Sequence, residues 1–360
     1  MADSVLIVVH GMGNHTEASV MTEVTSSIDS ALSLYPDSGS NHSATSSIDI
    51  VPVAYNDIFD DYRQKVASEA GDLASRLEKI GGSATPLAGT TNSLNRINMQ
   101  VGDDDVFLTH WLDVILYRYT LLSKPIQLRV AQVVADQVSA RGSSNVHIMG
   151  HSLGTAVVHD SLSRLYSLPI TTSDGDSVPP LKIQQHKLGG VHMVANVSRL
   201  LQHRFKVGVS TSLVKPGEAG CTSAYYEYRH KLDPFTKFRP FDPTDNEVWI
   251  NHDAYEDVYR LIHDGLTAVT EANVHALGHY IRNPAVHLPL LKALFGFRVR
   301  TKAERDNGRK VYLADTVSGK AEALQETIGK INPADEDSIK ALLEAGQSFK
   351  DMVRSFGEIF

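Results

Sequence analysis

Cysteine is almost absent from this chain: among 360 residues Cys221 alone carries a thiol. No intrachain disulfide can form, and such a composition suits a reducing compartment. Long apolar runs are lacking too. No stretch is long enough to span a bilayer. The first apolar run, Val5 to Val9, has five residues and no basic flank, unlike the apolar core of a signal peptide. Nor is there an excess of positive charge. The formal net charge of −8 argues against nucleic acid and against strongly anionic membrane surfaces as partners. The phosphate-cradling patterns G-x-x-x-x-G-K-[ST] and G-x-G-x-x-G do not occur, and neither does the metalloprotease pattern H-E-x-x-H, so no cofactor and no metal is expected. What is present is ordinary for a cytoplasmic globular protein. The chain is 42% hydrophobic and 21% charged, and it is long enough for one large α/β domain with an accessory element.

Strand and helix patterns alternate, which predicts a mostly parallel sheet with helices on both faces. The strand candidates are Val5 to Val9, Ser47 to Ala54, Val146 to Met149, Leu188 to Ala195 and Ala224 to Tyr228, with a weaker one at Glu247 to Ile250. Helical periodicity runs over Glu17 to Leu34, over Asp61 to Ile80 and over Thr155 to Leu168. Trp111 to Val138 reads as two helices divided at Pro125. Gly81 to Asp105 and Asp174 to Pro180 read as loops. After about Val299 the character changes. Gly319 to Ile331 and Ala334 to Phe360 form two amphipathic patterns, the second with Leu342, Phe349, Met352, Phe356 and Phe360 on one face. Its polar face mixes both signs of charge. That favours docking on its own domain or on a second subunit, as a homodimer, over a membrane surface.

Two short motifs carry the chemistry. Val146 to Met149 leads directly into Gly150-His151-Ser152-Leu153-Gly154, and a helical pattern follows. Strand, tight turn, serine and helix is the context of the G-x-S-x-G nucleophile elbow, in which a strained turn exposes the serine hydroxyl at the end of a sheet. Val5 to Val9 leads with equal abruptness into His10-Gly11-Met12-Gly13. A glycine-bearing loop in that position lets backbone amides approach a reacting carbonyl closely.

With both motifs in place, the chain from about Val5 to Leu291 resembles an α/β-hydrolase of the serine esterase and lipase type. The resemblance implies that fold, reduced at its N-terminal side by two strands, with residues 1–299 as the catalytic domain and residues 300–360 as a helical extension. Ile58 to Trp111 and Leu200 to Pro216 are the candidate lid segments. It also implies an oxyanion hole built from the amides of Met12 and Leu153, and a triad in the chain order nucleophile, acid, base. Ser152 is the nucleophile. Asp233, in the Asp-Pro turn after Ala224 to Tyr228, is the acid, with Asp242 as fallback. The base must follow it. His275 is favoured, ahead of His279 and then His252; His263 also lies in this stretch. His10 and His151 fall at turn positions and are poor candidates for base. The expected activity is hydrolysis of carboxylic esters, lipid esters among them, through an acyl-enzyme. An inactive relative that binds a ligand or partner, or an acyltransferase with the same triad, would carry much of the same sequence.

Overall fold

The structure, a computed structural model, describes residues 3–11, 15–61, 122–171, 177–198, 212–233, 235–236, 241, 259–262, 266–271 and 273–329. Its strands are β1 (Val5–Val9), β2 (Asp49–Val53), β3 (Val146–His151), β4 (Ile170–Thr171), β5 (Ser177–Val178), β6 (Gly190–Val194), β7 (Tyr225–Tyr228) and β8 (Tyr259–Ile262). Six of them form one sheet in the order β2-β1-β3-β6-β7-β8, and every neighbouring pair is parallel. β4 and β5 make a separate antiparallel pair.

The helices are α1 (Glu17–Ser33), α2 (Pro36–Gly39), α3 (Ala44–Ser47), α4 (Ser123–Arg141), α5 (Leu153–Leu165), α6 (Leu277–Arg282), α7 (Pro284–Phe295), α8 (Lys302–Ala314) and α9 (Val317–Gly329). They cover the sheet on both sides. Along β1 the side chains alternate. Val5, Ile7 and Val9 join Ile126, Val130 and Val134 of α4 and Leu162 and Leu165 of α5. Leu6 and Val8 join Val20, Val24 and Ile28 of α1 and Leu290, Leu291 and Leu294 of α7. A strand enclosed on both faces must be apolar throughout, and all five residues of β1 are buried. Full burial of each such side chain contributes roughly 1.5–3 kcal/mol relative to exposure. Thr16 starts α1 with a reciprocal cap, its side chain accepting the Ser19 amide while Ser19 Oγ accepts the Thr16 amide.

Several boundaries differ from the sequence expectation. The strand expected from Ser47 starts at Asp49, because Ser43 caps a helical turn, α3, ahead of it. The helix expected before Pro125 lies almost entirely outside the described residues, and Pro125 itself is the third residue of α4. It lies in the first turn of α4, where its missing N–H would have no intrahelical partner in any case. The elbow helix begins at Leu153 and ends at Leu165. β5 falls inside the stretch read as a loop, and β8 follows the weak candidate at Glu247 to Ile250, which lies outside the described residues. So do nearly all of the helix read over Asp61 to Ile80 and of the first lid candidate, most of the second, and the helix expected at Ala334 to Phe360.

The extension contributes a helix that was not expected. α8 has few apolar residues, and its buried positions are Glu304, Gly308 and Tyr312, a four-residue period written in a polar residue, a glycine and an aromatic. Glu304 accepts hydrogen bonds from the Ser38 amide and hydroxyl, at 2.8 and 2.5 Å. A Cβ on Gly308 would lie 2.6 Å from Tyr35 Cε1 and 2.9 Å from Leu34 O. Gly308→Leu is therefore expected to pry α8 from the domain at a cost of about 1–3 kcal/mol. A thermal melt should shift down and limited proteolysis should cut earlier near Thr301; an unchanged melt would contradict this docking. Among the described residues no helix is long and apolar enough to cross a membrane.

Candidate active site

Parallel strands deliver β1, β3, β6 and β7 to one sheet edge with their carboxyl ends together. Ser152 sits there, between the end of β3 and the start of α5, at φ 53 and ψ −124. A positive φ is costly for a residue with a Cβ. Its neighbours hold it there. The Ser152 amide donates to Val194 O at 3.1 Å, and the Ser152 carbonyl accepts from the Thr155 amide at 3.0 Å and the Thr155 hydroxyl at 2.6 Å. Close backbone approach explains the motif's last glycine. A Cβ on Gly154 would stand 2.2 Å from Val9 O and 2.4 Å from His10 O, so α5 crosses the end of β1 at backbone contact. Gly11 lies as close to the serine: a Cβ there would be 2.7 Å from Ser152 Cβ. Ala195, directly after β6, is a second residue with a Cβ at positive φ, 50°. Backbone strain of this kind gathers at functional sites.

Asp233 and His275 meet on the same edge. His275 Nδ1 lies 2.8 Å from Asp233 Oδ2. With its Nδ1–H donated to the carboxylate, a neutral His275 presents the Nε2 lone pair. Burial alone would raise the Asp233 carboxyl. The facing imidazole, the Tyr280 hydroxyl at 2.8 Å on Oδ2 and the Phe235 amide at 2.9 Å on Oδ1 outweigh it and hold the group below the ordinary carboxylate range. The Phe235 ring packs against His275, with centroids 4.4 Å apart. Ser152 Oγ and His275 Nε2 are both buried, and among the described residues neither has a hydrogen-bond partner. A serine held at positive φ, an imidazole with one nitrogen free and a buried ionised carboxylate are the groups that nucleophilic acyl transfer requires.

The other histidines have different partners. His279 Nδ1 pairs with Thr270 Oγ1 at 3.0 Å, and burial lowers its pKa to about 4. It shares no hydrogen bond with Asp233. His151 Nε2 donates to the His275 carbonyl at 2.7 Å, and burial, with His275 beside it, lowers its pKa to about 3. It clamps the backbone of the His275 loop to the elbow. His10 Nε2 accepts the Tyr55 amide at 3.3 Å while Nδ1 donates to Gly11 O, which pins the loop that follows β1. Met12, Asp242, His252 and His263 lie outside the described residues. Leu153 is the first residue of α5, so its amide is one of those with no partner inside the helix.

No protein-family model, characterised protein or solved structure matches this chain. The sequence reading missed three contributors: the carbonyl clamp of His151, the ring of Phe235 on His275 and the hydroxyl of Tyr280 on Asp233. Phe235 and Tyr280 each follow a named candidate by a few residues, and that proximity was the one available signal.

Proposed function

We propose that this protein is a serine hydrolase of carboxylic esters, built on an α/β-hydrolase fold. The observation that carries the reading is Ser152 at φ 53 in a strand-to-helix turn, on the sheet edge that also holds the 2.8 Å Asp233–His275 pair. The strand order supports it as well: the strand before the His10-Gly11 loop is the direct neighbour of the strand before Ser152.

In this mechanism Ser152 Oγ bonds to the ester carbonyl carbon while its proton passes to His275 Nε2. Asp233 keeps the imidazole in the required tautomer and stabilises its charged form without taking the proton. The carbonyl electron pair moves onto oxygen, and the N–H groups of Leu153 and Met12 donate hydrogen bonds to the resulting oxyanion. The carbon–oxygen bond to the alcohol then breaks, and the alcohol leaves with the proton from His275. Water, activated by the same imidazole, cleaves the acyl-serine and restores the enzyme.

A fluorophosphonate probe tests the chemistry directly. The expected result is one covalent adduct, mapped by peptide mass to Ser152, together with turnover of p-nitrophenyl esters. Activity across acyl lengths from acetate to palmitate then separates soluble esters from lipid-like ones. No adduct and no turnover would overturn the proposal in favour of a ligand-binding relative.

A further inference from the structure

Tyr280 stands on α6, five residues after His275, and is 1% exposed. Its hydroxyl makes two hydrogen bonds with opposite roles. The oxygen accepts the backbone N–H of His230 at 3.0 Å and lies 2.8 Å from Asp233 Oδ2. A backbone N–H only donates, and an ionised carboxylate only accepts. The hydroxyl proton is therefore directed to Asp233. The oxygen it meets is the one that receives His275 Nδ1–H. With the Phe235 amide on Oδ1, three donors divide the charge of one enclosed carboxylate, and two of them share a single oxygen.

Fixing an imidazole tautomer requires only the Asp233–His275 bond. A further donor on the same oxygen withdraws charge from the atom that faces the imidazolium. We propose that Tyr280 is a positioning residue that sets how strongly Asp233 stabilises protonated His275, and so the pH at which that imidazole becomes available as a base. The catalytic consequence rests on the ester-hydrolase reading; the electrostatic one does not. Tyr280 also ties the turn between His230 and Asp233, closed by the Asp233 amide on His230 O at 3.2 Å, to the helix that follows His275. Acid and base thus belong to one hydrogen-bonded unit.

The other titratable and charged groups around this cluster are His151 from β3, with its ring 5.1 Å from that of His275, Arg229 and His230 after β7, and His279 on α6. His15 bears electrostatically on His151. Changing the Tyr280 hydroxyl leaves all of these side chains in place and takes from His230 the acceptor of its backbone N–H.

Tyr280→Phe removes the donor and keeps the ring. The NMR titration of the His275 imidazole, assigned by its loss in His275→Gln, should move up by about half to one pH unit, roughly a three- to tenfold gain in proton affinity. The acid limb of kcat/KM for p-nitrophenyl butyrate should move with it. Incorporation of 3-fluorotyrosine at position 280 strengthens the donor while preserving both hydrogen bonds, and it should move the titration down. It also keeps the test open if Tyr280→Phe folds poorly. A His275 titration that stays in place in the folded variants would overturn the proposal, whatever their activity. A titration that moves in a protein that cleaves no ester would support the role of Tyr280 and overturn the hydrolase reading.

Discussion

Ser152→Ala is expected to slow ester turnover by on the order of 10⁶-fold, and Asp233→Asn by on the order of 10⁴-fold. In the proposed mechanism the first change removes the nucleophile and leaves what the oxyanion donors and substrate binding provide. The second is decided by hydrogen-bond polarity. Asp233 Oδ2 receives two donors, His275 Nδ1–H and the Tyr280 hydroxyl, and Oδ1 receives a third, the Phe235 amide. An asparagine must turn its NH₂ towards one side or the other. On one side it opposes a backbone N–H that cannot reverse. On the other it opposes both remaining donors and favours the imidazole tautomer with its proton on Nε2, which cannot accept the serine proton. Either placement leaves a buried donor without an acceptor, which typically costs about 1–3 kcal/mol. Asp233→Asn should therefore lower the melting temperature as well as kcat, whereas Ser152→Ala deletes a hydroxyl that has no hydrogen-bond partner among the described residues. Steady-state kinetics beside thermal melts reads both effects. Asp233→Asn activity within tenfold of wild type, with Ser152→Ala inactive, would assign the acid role to another carboxylate, and Asp242 would be the first to test.

The sheet was legible in the sequence because its strands are enclosed. Val5–Val9 is apolar throughout, as a strand covered on both faces tends to be, and Val146–His151 keeps enough of that character, with Val146, Ile148, Met149 and Gly150 beside two buried histidines, to be read as a strand. The turn that holds Ser152 was legible because two glycines are imposed by backbone contact, and a spacing rule captures that. α8 was not, because its buried face is a capping carboxylate, a glycine and a tyrosine, chosen to fit Ser38 and Tyr35 and not to bury apolar area. Asp233 and His275 stand 42 positions apart in the chain, and no local period encodes such a contact. Sequence order narrowed the candidates for the proposed base to a few histidines. The bond from Nδ1 to Asp233 singles out His275 among the described ones, and the Thr270 partner of His279 is likewise a contact that only the fold reveals.

Acid should unfold this protein at a pH well above the range in which carboxylates titrate. Nine of the described histidines are at most 8% exposed, and in seven of them, His10, His147, His151, His159, His192, His279 and His287, burial lowers the pKa far. Burial lowers the pKa of His10, His151 and His159 to about 3, of His147, His279 and His287 to about 4, and of His192 well below its ordinary value. Local geometry shows why the neutral form is built in. His10 Nε2 accepts a backbone amide, and His287 Nε2 meets the Tyr35 hydroxyl at 2.9 Å while Nδ1 reaches Ile281 O at 3.2 Å. A proton added at His10 Nε2 would face an N–H that cannot turn away. In the unfolded chain these groups titrate near about 6.5. Below that pH the unfolded state binds more protons than the native one, so stability is fully present above about pH 7 and is lost as pH falls from about 6.5 towards the folded values. Each group contributes up to about 1.4 kcal/mol per pH unit. Seven together approach the whole stability of a domain, about 5–15 kcal/mol, within one to two units. Far-ultraviolet circular dichroism at fixed ionic strength should thus show unfolding centred near about pH 5, and replacing His287 with Gln should shallow the slope between pH 6 and 5 by about 1 kcal/mol per unit. A melting temperature that holds constant from pH 7 to pH 5 would show that these imidazoles take up protons in the folded state as readily as in the unfolded one.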